Sequence, residues 1–305
     1  MKSDATDTLA LREGITALMG TLGFPGSRPV LLGANFNVIF HLHPYPIVAR
    51  VSRVPSSLRA ALADGRREMA VAIHLTDRGI PVVRPAPGVD AGPHVLGGGP
   101  VVTLWQHVPP TARSPLAPSA LVSRAVDVEE AMGAYRRPLP RLGAWRFSRP
   151  AVRFLREHRA DPTVATLVEA WGATNWELET ADPAALRPAH GDLHAGNLLA
   201  GPGGWYWTDF EDASTMPVFW DLASLVTNAW LLEGDESPLW RAARSLPAVE
   251  RDWPHFLLAV RARALLSTAA NTWWSATGEG DQTFAARQRA ALGPALDWLV
   301  AAGRR

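Results

Sequence analysis

Cysteine does not occur in this 305-residue sequence, and its absence removes disulfides, thiolate nucleophiles and Cys-based zinc sites together. Lysine is nearly missing too: Lys2 is the single one, and every other cation is an arginine. Neither sign of charge is in excess. Thirty basic and 29 acidic residues leave a net charge of +1, so no field of the whole protein draws it to nucleic acid or to a membrane. No run approaches the ~18 uncharged apolar residues that a membrane helix needs. The first twenty residues carry Asp4, Asp7 and Glu13 and lack the basic-then-apolar plan of a secretory signal. A soluble cytoplasmic protein is expected, without a nucleic-acid, membrane or obligatory protein partner.

What is present is a chain that folds. Hydrophobic residues make up 47% and charged residues 19%, enough apolar surface for one large domain or two modest ones. The spacing of Leu9, Leu11, Ile15, Leu18 and Met19 predicts a helix over residues 7–22, ended by the Gly-Phe-Pro-Gly run at 23–26. Strands are predicted over 30–42 and 46–51, a helix over 55–77, and a strand over 101–108 after a glycine-rich turn. From Pro109 the texture changes. Pro110, Pro115 and Pro118 follow, and helical patterns dominate afterwards. Residues 1–108 hold ten basic and seven acidic groups, whereas 109–305 hold 20 and 22. Two domains are therefore expected, 1–108 and 109–305.

One stretch interrupts the helical second part. Asn197 to Ala200, a Gly-Pro-Gly-Gly turn, and Trp205 to Phe210 read as a short hairpin. Polar residues flank it. Before it runs His190-Gly191-Asp192-Leu193-His194-Ala195-Gly196-Asn197, and at its end stands Asp209-Phe210-Glu211. The His-x-Asp pair, the Asn five residues later and the following Asp-Phe have the spacing of the loop that carries phosphoryl transfer in protein kinases. That reaction needs a carboxylate to orient the acceptor hydroxyl. It also needs a second carboxylate and an amide oxygen to hold the Mg²⁺ that neutralises charge between phosphates.

On these residues, with Phe219-Trp220-Asp221-Leu222-Ala223 downstream, the chain resembles the aminoglycoside phosphotransferase and choline kinase family. Those proteins are small-molecule kinases with a protein-kinase-like fold. The resemblance implies an α+β, two-lobed chain: a small N-lobe antiparallel sheet with helices, for nucleotide, and a larger, mainly helical C-lobe with a catalytic hairpin. It implies ATP (or GTP) and Mg²⁺ as cofactors, Asp192 as catalytic base, and Asn197 and Asp209 as metal ligands. His190 and Asp221 would support the loop. His194 would either support it or act near the phosphates. A zinc site at His190 and His194 lacks the helical, Glu-bearing context of a metalloprotease. His41 and His43 share a strand face but have no third ligand in view.

The nucleotide half should pair a strand cation with a helix acid. Arg50 and Glu68 fit those places, with arginine where lysine is usual; the fork is not a neutral exchange for an ammonium. Gly33 to Val38 would be the phosphate-covering turn, with Asn35 or Asn37 assisting. The backbone from Gln106 to Val108 would face the adenine. Asp221 follows Asp209 by twelve positions, too few for the activation segment of a regulated protein kinase. The acceptor is thus expected to be a small molecule, with Glu211, Asp212, Trp273 and Trp274 as candidate contacts. An antibiotic-modifying enzyme of the aminoglycoside type is the first expectation. A metabolic kinase for an amino sugar, choline-like alcohol or homoserine-like acceptor is the second. A nucleotide-binding pseudokinase, suggested by Arg50, is the third.

Overall fold

Val38, Phe40 and Leu42 on one strand and Ile47, Ala49 and Val51 on the next are buried, while the residues between them are not. This period of two marks strands with one face in a core. The computed structural model describes residues 2–34, 37–52, 57–97, 99–158 and 161–304, with side chains from Thr8 onward. It contains two units, Met1–Arg113 with Asn197–Glu211, and Ser114–Gly196 with Asp212–Arg305.

The first unit opens with helix α1 (Lys2–Thr21), then strands β1 (Arg28–Ala34), β2 (Asn37–His43) and β3 (Ile47–Ser52). Helix α2 (Leu58–Asp77), β4 (His94–Val95) and β5 (Val101–Gln106) follow. The strands form one antiparallel sheet in the order β1-β2-β3-β5-β4. Ile15 and Met19 of α1 pack fully buried onto Phe40, Leu42 and Leu104. Arg50 pairs across to Ile39 and Thr103, on the sheet face opposite Ala49. Helix α2 starts from a Ser57 cap that accepts from Ala60 N–H. It approaches the sheet where a side chain is missing: a Cβ on Gly65 would lie 3.2 Å from Thr103 Cγ2. One turn later α2 buries Glu68, which brings that carboxyl to the sheet. Strand β5 ends at Gln106 rather than Val108, because the chain turns into the proline-rich stretch.

The second unit continues with α3 (Pro118–Gly133), α4 (Gly143–Arg146), α5 (Arg149–Arg156), α6 (Pro162–Thr180) and strand β6 (Leu186–Ala189). The chain then returns to the first unit as the hairpin β7 (Leu198–Gly201) and β8 (Gly204–Trp207). Back in the second unit come β9 (Ser214–Pro217), which pairs with β6, then α7 (Trp220–Glu233), α8 (Pro238–Arg244), α9 (Pro247–Arg251), α10 (Trp253–Thr277) and α11 (Gln282–Ala302).

The hairpin's place differs from a single division at Val108, and backbone hydrogen bonds give the reason. Trp207 N–H donates to Pro81 O at 3.0 Å, and Val83 N–H donates to Trp207 O at 2.8 Å. Thr111 N–H reaches Ala200 O at 3.1 Å. Val108 packs so tightly here that a Cβ on Gly201 would lie 2.4 Å from its Cγ1. The second unit's core is aromatic and aliphatic, with Trp145 stacked on Trp171 and a group formed by Trp230, Trp240, Trp253, Trp298 and Phe256. Among the described residues, no helix is long and apolar enough to cross a membrane.

Candidate active site

In the first unit the hairpin brings two expected metal ligands to one end. Asn197 stands just before β7, and Asp209 follows β8 by two residues. Leu198 pairs with Trp207, and Thr208 N–H donates to Asn197 O at 3.0 Å. Asn197 is buried. Asp209 adopts φ +71°, a left-handed conformation that a non-glycine residue takes at some local cost. That turn redirects the chain, so Asp209 and Glu211 both point their carboxylates at Arg50.

Arg50 is the centre of this half. Its Nη1 donates to Glu68 Oε2 at 2.6 Å, and its Nη2 donates to both Asp209 Oδ1 and Glu211 Oε2 at 2.7 Å. The side chain is only 13% exposed. Burial opposes its charge, but Glu68, Glu211 and Asp209 outweigh that and hold the guanidinium above its ordinary value. Burial pushes the Glu68 carboxyl up to about 7 against the pull of Arg50. Glu211 is likewise raised, first by burial. Asn37 Nδ2 lies 3.5 Å from Glu211 Oε2, so this amide touches the carboxylate cluster. Arg67 Nη2 donates to Glu211 O at 2.8 Å and its Nη1 to Asp64.

The donor set fits a hard divalent cation. Asp209 and Asn197 supply a carboxylate and an amide oxygen, and Mg²⁺ takes a few such ligands and keeps water or phosphate in its remaining positions. Of the expected nucleotide contacts, Asn35 lies outside the described residues. Gln106 cannot offer its N–H to a base, because that group already donates to Arg84 O at 2.8 Å. His107 N–H is used as well, on Pro46 O at 2.9 Å. No described hydrogen bond uses Val108 N–H. His41 is stacked on the His107 ring, with centroids 3.9 Å apart. Among the described residues no group of three His, Asp or Glu side chains is arranged to hold a metal.

In the second unit, Asp221 shapes the loop. It is fully buried in the first turn of α7 and accepts from His190 N–H at 2.7 Å and Gly191 N–H at 2.9 Å. Burial raises its carboxyl, opposed by His190 and these N–H groups. Beside it Glu129 of α3 accepts from Leu222 N–H at 2.9 Å. Burial, then the Asp221 charge, push Glu129 up to about 8. Gly191 has φ +97°, and a Cβ there would lie 2.1 Å from Asp212 O; only glycine fits. His190 is buried inside the loop.

Asp192 is engaged on both oxygens. Arg263 Nη2 donates to Oδ1 at 2.8 Å, and His194 Nε2 lies 3.4 Å from Oδ2. Gly196 N–H donates to His194 Nδ1 at 3.0 Å, which leaves the ring proton on Nε2, facing Asp192. Burial alone would raise the Asp192 carboxyl, but His194 and Arg263 together hold it well below the usual carboxylate range.

Of the expected acceptor contacts, Glu211 belongs to the first unit and Asp212, Trp273 and Trp274 to the second. Glu211 is committed to Arg50, because the turn at Asp209 aims it there, while Asp212 O packs against Gly191. Trp273 packs on the second unit's core. Trp274 sits under the turn that follows α10, with its carbonyl accepting from Glu279 and Gly280. Sequence spacing did not reveal Arg263, Glu129 or Arg67. The apolar run Phe256 to Ala270 holds two charged residues, Arg261 and Arg263, and the sequence does not distinguish them.

The sequence pattern of the phosphotransferase enzyme family, APH, matches residues 29–255. No curated protein matches the chain in sequence. Among solved structures, the chain resembles an amicoumacin kinase in complex with AMP-PNP, Ca²⁺ and Ami, at 13% identity, 88% coverage of each chain and a TM-score of 0.64. It resembles a choline/ethanolamine kinase family protein from Mesorhizobium loti at 15% identity and a TM-score of 0.58, covering 97% of this chain and 100% of that one. It also resembles a microcompartment-associated aminopropanol kinase at 20% identity and a TM-score of 0.59, covering 92% and 94%. At such identities the likeness establishes the fold, the protein-kinase-like α+β fold.

Proposed function

This chain belongs to the phosphotransferase enzyme family as a small-molecule phosphotransferase, and from that premise we propose that it transfers the γ-phosphoryl group of ATP, with Mg²⁺, to a hydroxyl of a small polar molecule. Support comes above all from Arg50, which joins Glu68 and Asp209 in one chain of ion pairs. Such a chain unites the three charges that a nucleotide-handling half needs.

Asp192 accepts the hydrogen bond of the acceptor hydroxyl, aims its oxygen at the γ-phosphorus and takes the proton late. Asp221 keeps the loop under Asp192 in one shape. Asn197 and Asp209 would hold Mg²⁺, which would supply neutralisation of the phosphate charge. Arg50 contributes its cation to the α- and β-phosphates, and Val108 N–H is the donor left for the adenine edge. A cytoplasmic location goes with this reading, since ATP is available there.

The acceptor is an antibiotic of the aminoglycoside type or another hydroxyl-bearing antimicrobial, as the amicoumacin kinase complex suggests by analogy. The alternative is a metabolic amino alcohol or amino sugar, suggested by the aminopropanol kinase. ADP release measured with pooled aminoglycosides, peptide antibiotics, amino sugars and amino alcohols, native chain against Asp192→Ala, decides the matter. Release with one pool, lost in the variant, names the acceptor class. ATP binding by calorimetry without phosphorylated product from any pool would instead make the chain a pseudokinase.

A further inference from the structure

Arg263 sits on α10 among Val260, Ala262, Ala264 and Leu265, all fully buried. Its own side chain is 7% exposed. A charge placed among such neighbours costs free energy unless it is paired and hydrogen-bonded, and an apolar residue of similar volume fills the same space without that cost. The partners of Arg263 all belong to the loop that carries Asp192, or to the residue that grips it. Nη2 donates to Asp192 Oδ1 at 2.8 Å, Nη1 lies 3.4 Å from Gly191 O, and the guanidinium stands 5.4 Å from the centre of the Trp220 ring. Trp220 Nε1 donates to the same Gly191 O at 2.7 Å. The loop's peptide is thus held by Trp220 while its carboxylate is held by Arg263.

The second oxygen of Asp192 faces His194, so donors approach the carboxylate from two sides and fix its plane. Asp192 nevertheless remains 34% exposed, open to a molecule arriving from solvent. We propose that Arg263 is a positioning residue for phosphoryl transfer, fixing the orientation of the Asp192 carboxylate through a fork that neither lysine nor an apolar residue reproduces. The proposal rests on the assignment of Asp192 as the base. Group transfer is sensitive to such orientation, and a misplacement of ~1 Å costs on the order of 100-fold in rate.

Arg263→Met and Arg263→Lys test it in the full-length chain, with kcat and both KM values measured on the acceptor class that the native chain turns over. Arg263→Met is expected to lower kcat by about 100-fold, with the KM for ATP and Mg²⁺-ATP binding by calorimetry unchanged. Arg263→Lys is expected to recover part of that loss, because its ammonium restores the charge beside Oδ1 but not the fork. If Arg263→Met does not fold, Arg263→Lys alone carries the test through the same split between kcat and KM. A native kcat in Arg263→Met, a loss confined to KM, or a lysine variant no better than methionine would assign Arg263 to packing and overturn the proposal. Native turnover abolished by Asp192→Ala is measured alongside, so failure of the base assignment and failure of the Arg263 role give different results.

Discussion

Arg50 Nη2 lies 2.7 Å from Asp209 Oδ1, so a sheet cation and the carboxylate beyond the hairpin are joined within one unit before any ligand arrives. Glu68 is tied into the same fork and is nearly inaccessible. Removing the guanidinium leaves that buried carboxyl without its partner. Arg50→Met should therefore cost about 3 kcal/mol of stability, read as a lower denaturation midpoint, and should weaken ATP binding. Arg50→Lys should cost roughly 1 kcal/mol, because an ammonium keeps Glu68 but cannot span Asp209 and Glu211 as well. Equal stability of the two variants would show that the fork adds nothing to the charge.

Glu129 gives a pH dependence with a definite sign. Its carboxyl rises from an ordinary 4.5 to about 8 on folding, so as pH falls the native state takes up the proton before the unfolded state does. Stability should then fall as pH rises from 4.5 to 8, and the penalty for the buried charge should vanish below pH 4.5. Glu129→Gln removes the ionisation and retains an acceptor oxygen for Leu222 N–H. At pH 8.5 the variant should exceed the native chain by at least about 2 kcal/mol, since every tenfold change in proton affinity between the two states is worth about 1.4 kcal/mol. Denaturant melts of both chains from pH 4.5 to 8.5 check it. Parallel curves would remove Glu129 as the source.

Asp221 should be the most sensitive residue of the loop's support. It accepts two buried N–H groups, and Asp221→Ala strands both. A loss of about 3 kcal/mol is expected, together with faster hydrogen exchange at His190 and Gly191. Unchanged exchange at those two amides would show that the loop holds its shape without the carboxylate.

Gly201 and Val108 form a pair in which one residue makes room for the other. Gly201→Ala pushes a methyl group into Val108 and should destabilise the chain by about 2 kcal/mol through overpacking. Val108→Ala in the same chain should return part of that loss. Additive losses in the double variant would show that the strain lies elsewhere on the hairpin.

The parts legible in the sequence were those encoded by local spacing. The loop from His190 to Asn197 and the hairpin after it depend on residues whose separation follows from a turn or a strand, whereas the pairing of Arg50 with Glu68, 18 residues apart, was implied by the family resemblance. The rest depended on packing between distant segments. Arg263 reaches Asp192 from 71 residues away, and Glu129 meets Leu222 from 93; Arg263 has no local signature beyond a charge in an apolar helix, and Glu129, with Arg124, Asp127 and Glu130 on the same helix, has none. Glu211 is a candidate acceptor contact as one of several acids suited to a polycation, and its ion pair with Arg50 has no signature in that composition. Trp273 and Trp274 are adjacent on one helix; Trp273 packs on the second unit's core, and both are half-buried.

The arginine at position 50 also decides how this enzyme can be detected. Lys2 is the single amine side chain in the sequence, so reagents that identify nucleotide sites by acylating a lysine have no target beside Glu68 and Asp209. A guanidinium stays protonated in proteins and does not react as an amine does. The charge at this site is equally out of reach of lysine acetylation. Surveys of a proteome with amine-directed nucleotide probes would pass over this chain, whereas an arginine-directed dicarbonyl, blocked by Mg²⁺-ATP, would mark it.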